Sequence, residues 1–400
     1  MIIDPLLQTP YFVIDKKELV ENYHHLKNAL SIYWPNYLIG YSYKTNSLPW
    51  LVKYFDSVGC YSEVVSADEY ELGQYLGISK ANFIYNGPIK TKETFIEALQ
   101  NGCYVNIDSQ REIDWLYNLP KDKEYKIGVR INFDVEKYCP GESQCGKEGG
   151  RFGFCYENGE LLKAIKRIEE CGFEVTGLHL HISSKTRSVK IYETIAKIAC
   201  SIVDNYGLKL DFIDIGGGFF GGLPTKPQFE EYFQKVSAIL KLKLSPEKCK
   251  LIVEPGMALV GSPISFVTSV IDVKTTNNNR FVITDGSRIN IDPLMRKKDY
   301  FHENILVDTA RKEHCKQIVC GFTCMENDRL FMAEDLPEYE VGDKIIYHKV
   351  GAYTMCLSPL FIKYFPTVYL FDKGLYETIR EKWTPKQYTQ NAMNDSRNEK

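Results

Sequence analysis

Between Leu38 and Glu254, short apolar runs of β character alternate with stretches whose apolar residues recur every three or four positions. This is the pattern of parallel strands joined by crossover helices. Eight runs fit: Leu38–Lys44, Cys60–Val65, Asn82–Asn86, Tyr104–Ile107, Lys126–Phe133, Val175–Ile182, Leu210–Gly216 and Lys250–Glu254. Helical spacing is clear at Leu161, Ile165 and Ile168, and again at Ile191, Ile195, Ile198 and Ile202. Eight such units in so short a span predict a (β/α)8 TIM-like barrel, an α/β architecture, rather than an open sheet. After Pro255 the pattern changes to strands joined by polar turns, Ser265–Val273, Arg280–Thr284 after a turn at Asn277–Asn279, and Lys344–Lys349. An antiparallel β-sheet domain is expected there. Tyr11–Asp15 is a further strand, followed by a helix over Leu19–Leu30, and is expected to join that sheet. The expected organisation is a barrel over residues 31–262, a sheet domain made of 1–30 and 263–386, and a polar, frayed tail over 387–400. Asp134–Gly150 carries four glycines in seventeen residues, too long for an ordinary barrel loop, and reads as an active-site lid.

Composition narrows the function. The 400 residues are 44% hydrophobic and 25% charged, enough for two cored domains. Forty-nine basic against 52 acidic residues give a net charge of −3, so no basic field favours nucleic acid or an anionic membrane face. No apolar run reaches membrane-spanning length and the first residues lack a signal-peptide pattern, so a cytoplasmic chain is expected. The twelve cysteines form no CxxC pair and no zinc pattern, so free thiols and no metal are expected.

In a barrel of this kind the reactive groups stand at the C-terminal ends of the strands. The first strand ends Tyr41-Ser42-Tyr43-Lys44, an amine whose aromatic neighbours would lower its pKa by desolvation, unless it is an ordinary surface lysine. The sixth ends Gly177-Leu178-His179-Leu180-His181, where alternation sends both imidazoles to one face, either the barrel interior or the helix layer. Gly216-Gly217-Gly218 after the seventh strand lets backbone amides approach a phosphate, or makes a tight turn. Glu254 closes the apolar eighth strand, either as a buried acid that needs a partner or as a solvated strand end. Amine, imidazole, phosphate cradle and acid together suit one cofactor, pyridoxal 5'-phosphate.

These residues carry a resemblance. Over roughly Pro10 to Trp383 the chain resembles the fold-type III pyridoxal-phosphate decarboxylases, the diaminopimelate and ornithine decarboxylase group. The shared motifs, in order, are TPYFVID, YSYKTN, SEVVSADEY, NGPIK, NIDS, VRIN, GRFGF, GLHLHI, IDIGGGF, EPG, TDGS, GFTC, VGD and GAYT. The resemblance implies an alanine racemase-like barrel with a decarboxylase C-terminal β-barrel, and a homodimer with shared active sites. Lys44 would form the Schiff base, His181 would stack on the ring, and Glu254 would pair with the pyridinium, so that loss of CO2 passes through a quinonoid. Ser184, Gly216–Gly218, Gly256 and Tyr353 would complete the cofactor contacts, and Cys324 would reach in from the partner subunit, where it or the freed Lys44 would return the proton to the α-carbon. A racemase, which would use an arginine at the ring nitrogen, and a non-catalytic cofactor-binding regulator are the competing readings.

The departures concern substrate. Family members usually carry an arginine after EPG, where this chain has Met257, so one anion contact is missing. They carry an acid directly after the catalytic cysteine, where this chain has Met325. Glu326, Asp328, Arg288 and Arg296 remain as candidate contacts for the distal end of an amino-acid substrate. The two methionines disfavour plain meso-diaminopimelate and plain ornithine, and favour a specialised substrate of polyamine, siderophore or other secondary metabolism. Diaminopimelate or ornithine-type decarboxylation is the alternative.

Overall fold

The computed structural model describes residue 4, residues 6–308 and residues 310–390. Its strands are β1 (Tyr11–Asp15), β2 (Tyr37–Ser42), β3 (Tyr61–Ser66), β4 (Phe83–Ile89), β5 (Tyr104–Ile107), β6 (Lys126–Asn132), β7 (Phe154–Cys155), β8 (Gly177–His179), β9 (Phe212–Asp214), β10 (Lys250–Val253), β11 (Ile264–Thr275), β12 (Arg280–Thr284), β13 (His302–Ile305), β14 (Glu313–Cys320), β15 (Arg329–Pro337), β16 (Lys344–Tyr347), β17 (Thr367–Asp372) and β18 (Leu375–Arg380). The chain divides into two compact units, Asn22–Leu259 and Met1–Glu21 with Val260–Lys400.

The first unit is the expected barrel. Its parallel strands run in the order β5-β4-β3-β2-β10-β9-β8-β6, and pairing of β5 with β6 closes the ring. The helices outside it form as their periodicity demands. Val189–Tyr206 buries Ile191, Ile195, Ile198 and Ile202, and stops where Gly207 turns left-handed at φ 64°. Ala67–Tyr75 starts on Ser66, whose hydroxyl accepts from the Glu69 amide at 3.1 Å.

The barrel interior has two storeys. Leu38, Ile84, Tyr104, Phe212 and Ile252 form an apolar cluster, each such side chain contributing on the order of 2 kcal/mol by leaving water. Glycine makes room for it, since a Cβ at Gly177 would stand 2.2 Å from the Phe212 ring. Toward the C-terminal ends of the strands the buried residues become polar: Glu63, Asn86, Asn106, His179, Asp214 and Glu254. Polar groups are buried there only at a cost unless they are partnered, so this storey marks the site.

The second unit is a nine-stranded sheet with the path β15-β14-β12-β11-β1-β17-β18, joined by β16 and β13. As expected, β1 belongs to it, but the sheet is mixed rather than purely antiparallel. β1 lies parallel to β17, and β12 parallel to β14. Both pairs join segments far apart in sequence, which a reading of consecutive strands and turns does not register. The β11–β12 hairpin closes with the Thr276 amide donating to the Asn279 carbonyl at 2.9 Å, at the turn the polar run announces. Of the expected tail, residues 391–400 lie outside the described residues, and Pro385–Tyr388 forms one helical turn.

Candidate active site

Lys44 lies in the turn Tyr43–Thr45 that follows β2. Strand alternation sends Ser42 and Lys44 one way and the two tyrosines the other. Tyr41 stacks on Phe55 of the outer helix with ring centroids 4.2 Å apart, and the Tyr43 hydroxyl lies 2.8 Å from Ser62 Oγ. The expected aromatic wall therefore turns away from the amine. Instead Lys44 Nζ meets a carboxylate, donating to Glu63 Oε2 at 2.6 Å, and the Ser42 hydroxyl donates to the same oxygen at 2.5 Å.

Glu63, in the SEVVSADEY motif, is a site residue beyond those the sequence analysis names. The signal was available: a lone acid in an apolar strand, the feature that identified Glu254. Asn86 and Asn106, the first residues of NGPIK and NIDS, join Glu63. The Asn86 amide nitrogen donates both to Glu63 Oε1, at 3.0 Å, and to Glu254 Oε1. Its oxygen accepts from Asn106 at 2.8 Å, and Asn106 also donates to Asp214 Oδ2 at 3.3 Å. One amide thus orients the carboxylate beside the lysine and the carboxylate at the far end of the site.

At that far end His179, Asp214 and Glu254 offer ligand atoms within 4.8 Å of one another, all buried. Two adjacent carboxyls in so dry a place do not both ionise. Burial opposes the charge of Glu254, but interaction with the His179 imidazole and the positive charge of Lys44 hold its carboxyl well below the usual carboxylate range. Burial and the neighbouring Glu254 push Asp214 well above that range. Glu254 is therefore the ionised acid and Asp214 the protonated one.

The two histidines of β8 and its continuation face the interior, with ring centroids 6.4 Å apart and planes inclined by 28°. His181 Nδ1 accepts from the Gly217 amide at 3.1 Å, which places its own proton on Nε2. Burial lowers its pKa to about 3, so it presents a neutral flat ring. Neither ring nitrogen of His179 makes a hydrogen bond among the described residues, although Nε2 lies 3.5 Å from Glu254 Oε1.

Glycine is required where the loops close on this ring. Gly216 has φ 70°, and a Cβ there would stand 2.3 Å from His181 Nδ1; at Gly217 it would lie 2.0 Å from the Glu254 carbonyl oxygen. At Gly256 a Cβ would lie 2.0 Å from Thr45 Oγ1, so the EPG turn presses on the lysine turn. Ser184 Oγ accepts from the Arg187 amide at 3.0 Å, and Ser184 bridges to Ser143 of the long loop. That loop is tied down by Glu142, whose carboxylate accepts from the Thr186 amide at 3.0 Å and from the hydroxyls of Thr186 and Ser188. A cavity of about 350 Å³ lies beneath it, lined by Arg130, Cys145, Arg151, Phe152 and His181 among others.

The barrel unit alone therefore brings together Lys44, His181, Ser184, Gly216–Gly218, Glu254 and Gly256. These residues fit pyridoxal phosphate: an amine for its aldehyde, a neutral ring for its face, a glycine cradle for its phosphate and an ionised, buried acid for its ring nitrogen. The orphaned polar atoms of His179 agree with a site built for a polar guest.

The other unit holds Cys324, Tyr353, Glu326, Asp328, Arg288 and Arg296. Cys324 is exposed, in a loop shaped by Asp328. Buried Asp328 accepts from Ser287 Oγ (2.8 Å), the Arg288 amide (2.9 Å), and the Thr323 amide and hydroxyl (3.1 and 2.6 Å), so its oxygens are occupied by its own chain. The Glu326 side chain is fully exposed, 3.6 Å from Arg329. Arg288 bonds Asp292 at 3.1 Å and the Lys297 carbonyl at 2.6 Å, and the Arg296 amide donates to Asp292 at 3.1 Å. Tyr353 is 38% exposed with φ 55°. No helix among the described residues is long and apolar enough to cross a membrane.

Residues 16–261 match the protein-family model described as pyridoxal-dependent decarboxylase, pyridoxal binding domain. The chain is 26% identical over 385 residues to a probable chloroplastic diaminopimelate decarboxylase of Oryza sativa subsp. japonica, covering 93% of this chain and 77% of that protein. It is 26% identical over 363 residues to the diaminopimelate decarboxylase of Aquifex aeolicus, covering 88% and 83%. The crystal structure of a diaminopimelate decarboxylase from M. jannaschii superposes with a TM-score of 0.83 at 22% identity, covering 98% of this chain and 93% of that one.

Proposed function

The chain belongs to the pyridoxal-dependent decarboxylases, and from that premise we propose that its substrate is a diamino acid of the diaminopimelate type. It is a pyridoxal-phosphate-dependent amino-acid decarboxylase, a carbon–carbon lyase. The named relatives favour diaminopimelate over the specialised substrate expected from Met257 and Met325. A structure of the M. jannaschii enzyme is a complex with L-lysine, which is diaminopimelate less one carboxyl group.

The observation that carries the catalytic reading is the chain Lys44–Glu63–Asn86–Glu254, which sets an amine and an ionised acid at opposite ends of one buried polar layer. Bound pyridoxal phosphate supplies the electron sink for the charge left when carbon dioxide departs. Lys44 is the amine that binds its aldehyde, and Glu63 holds that amine in place. Glu254 would hold the proton on the ring nitrogen, and Asp214, itself carrying a proton, leaves Glu254 as the charged member of that adjacent pair. The test is a substrate panel. Holoenzyme is expected to release carbon dioxide from meso-diaminopimelate with a kcat/KM well above that for ornithine, arginine or lysine. A preference for one of those would overturn the diaminopimelate reading.

The proposal includes a homodimer in which Cys324, exposed on its loop, donates the proton that replaces the lost carboxyl group. Lys44→Ala and Cys324→Ala are each expected to be inactive, yet co-expression should restore activity to mixed dimers in which one of two sites holds both native residues. Mixed dimers that form and stay as inactive as the parents would show that the sites are not shared.

A further inference from the structure

Among the described residues no carboxylate pairs with Arg187, although the structure holds this arginine firmly. Its backbone has φ 54°, a left-handed conformation that a side chain adopts only against steric resistance, and it is fixed from both sides. The Arg187 amide donates to Ser184 Oγ at 3.0 Å, and its carbonyl accepts from the Tyr232 hydroxyl at 2.6 Å. The guanidinium has two neighbours of its own. Its Cζ stands 5.3 Å from the centre of the Phe220 ring, and Nη1 lies 2.7 Å from Met257 Sδ.

Both neighbours belong to the loops that would hold the cofactor. Phe220 follows the glycine run Gly216–Gly218, and Met257 directly follows Gly256. The loop carrying Arg187 is also tied to the glycine run through two tyrosines. Tyr232 bonds the Arg187 carbonyl, Tyr192 donates to the Gly217 carbonyl at 2.8 Å, and the two rings meet edge to face with centroids 4.9 Å apart. A thioether is a weak acceptor and an aromatic face is not a counter-ion, so the charge is anchored without being neutralised.

We infer that Arg187 is the cation for the cofactor's phosphate in this chain, reaching over Met257 to the place that an arginine directly after the EPG turn would serve. The anion contact that Met257 removes is on this reading supplied by a different element, the loop after β8, and the substitution at 257 leaves room for it. The inference rests on the cofactor reading above and deepens it. It also removes Met257 from the grounds for an unusual substrate.

The same anionic chemistry could come from a substrate carboxylate, and the test separates the two sources. Apo-protein is titrated by equilibrium dialysis with pyridoxal 5'-phosphate and, separately, with pyridoxal, which has the aldehyde and ring but no phosphate. Arg187→Ala is expected to weaken pyridoxal phosphate about tenfold to a hundredfold and pyridoxal hardly at all. Arg187→Lys should recover part of the loss, and Met257→Arg added to Arg187→Ala should recover more. Should Arg187→Ala lose its fold, Arg187→Gln, which removes the charge but keeps most of the length, reads the same ratio. Unchanged affinity for pyridoxal phosphate, with a raised KM for substrate alone, assigns the arginine to the substrate and overturns the inference. Equal weakening of both ligands makes Arg187 merely structural and overturns it too. In both cases the cofactor reading stands; it falls only if the wild-type protein binds neither ligand.

Discussion

Lys44→Ala is expected to abolish covalent capture of the cofactor and to lower decarboxylation by on the order of 10⁴-fold or more. The Lys44 amine is the one that the barrel aims at Glu63, 2.6 Å away, from a turn locked by the contact of Gly256 with Thr45. Removing it leaves Glu63 with Ser42 and Asn86 as donors, so the fold should survive and the loss should be chemical rather than structural. Borohydride reduction followed by mass analysis of the peptide containing residue 44 checks this directly. Cofactor that remains covalently attached to the variant would move the role to another lysine.

The second large effect is expected at Glu254. Glu254→Gln keeps the size of the side chain and an oxygen for Asn86, but it removes the negative charge of the Asp214–Glu254 pair. A neutral amide does not hold a proton on the ring nitrogen, so turnover should fall by about two to three orders of magnitude while cofactor still binds. Asp214 should respond in the opposite sense. Its carboxyl is protonated because it is buried and because Glu254 is charged beside it, and loss of that charge lets it ionise more readily. Steady-state kinetics with parallel cofactor titration checks the prediction. Turnover near that of the wild type would mean that Asp214 or another acid serves the ring nitrogen.

Much of this site could be read before the structure because each part is local. A strand end, a glycine run and an EPG turn are contiguous, so Lys44, His181, Gly216–Gly218 and Glu254 announce themselves. Asn86, Asn106 and Asp214 do not, because two neutral amides and an acid before a glycine run acquire a role only through partners on other strands, Asn86 with Glu63 and Glu254, and Asn106 with Asp214. The misread aromatic wall has the same origin: Tyr41 and Tyr43 flank Lys44 in sequence but lie on the other face of the strand. The mixed character of the second sheet was hidden because β1 and β17 stand at opposite ends of the chain. Arg187 was invisible as well, since nothing in the sequence brings the loop after β8 onto Met257.

The most direct test of the account is to incubate cofactor-loaded protein with meso-diaminopimelate in D2O, following carbon dioxide together with deuterium in the amino-acid pool. Carbon dioxide is expected in amounts equal to a product amine that carries one deuterium on the carbon that lost the carboxyl group. Deuterium exchanged into intact amino acid without release of carbon dioxide would make the protein a racemase and contradict the roles given to Glu254 and Cys324.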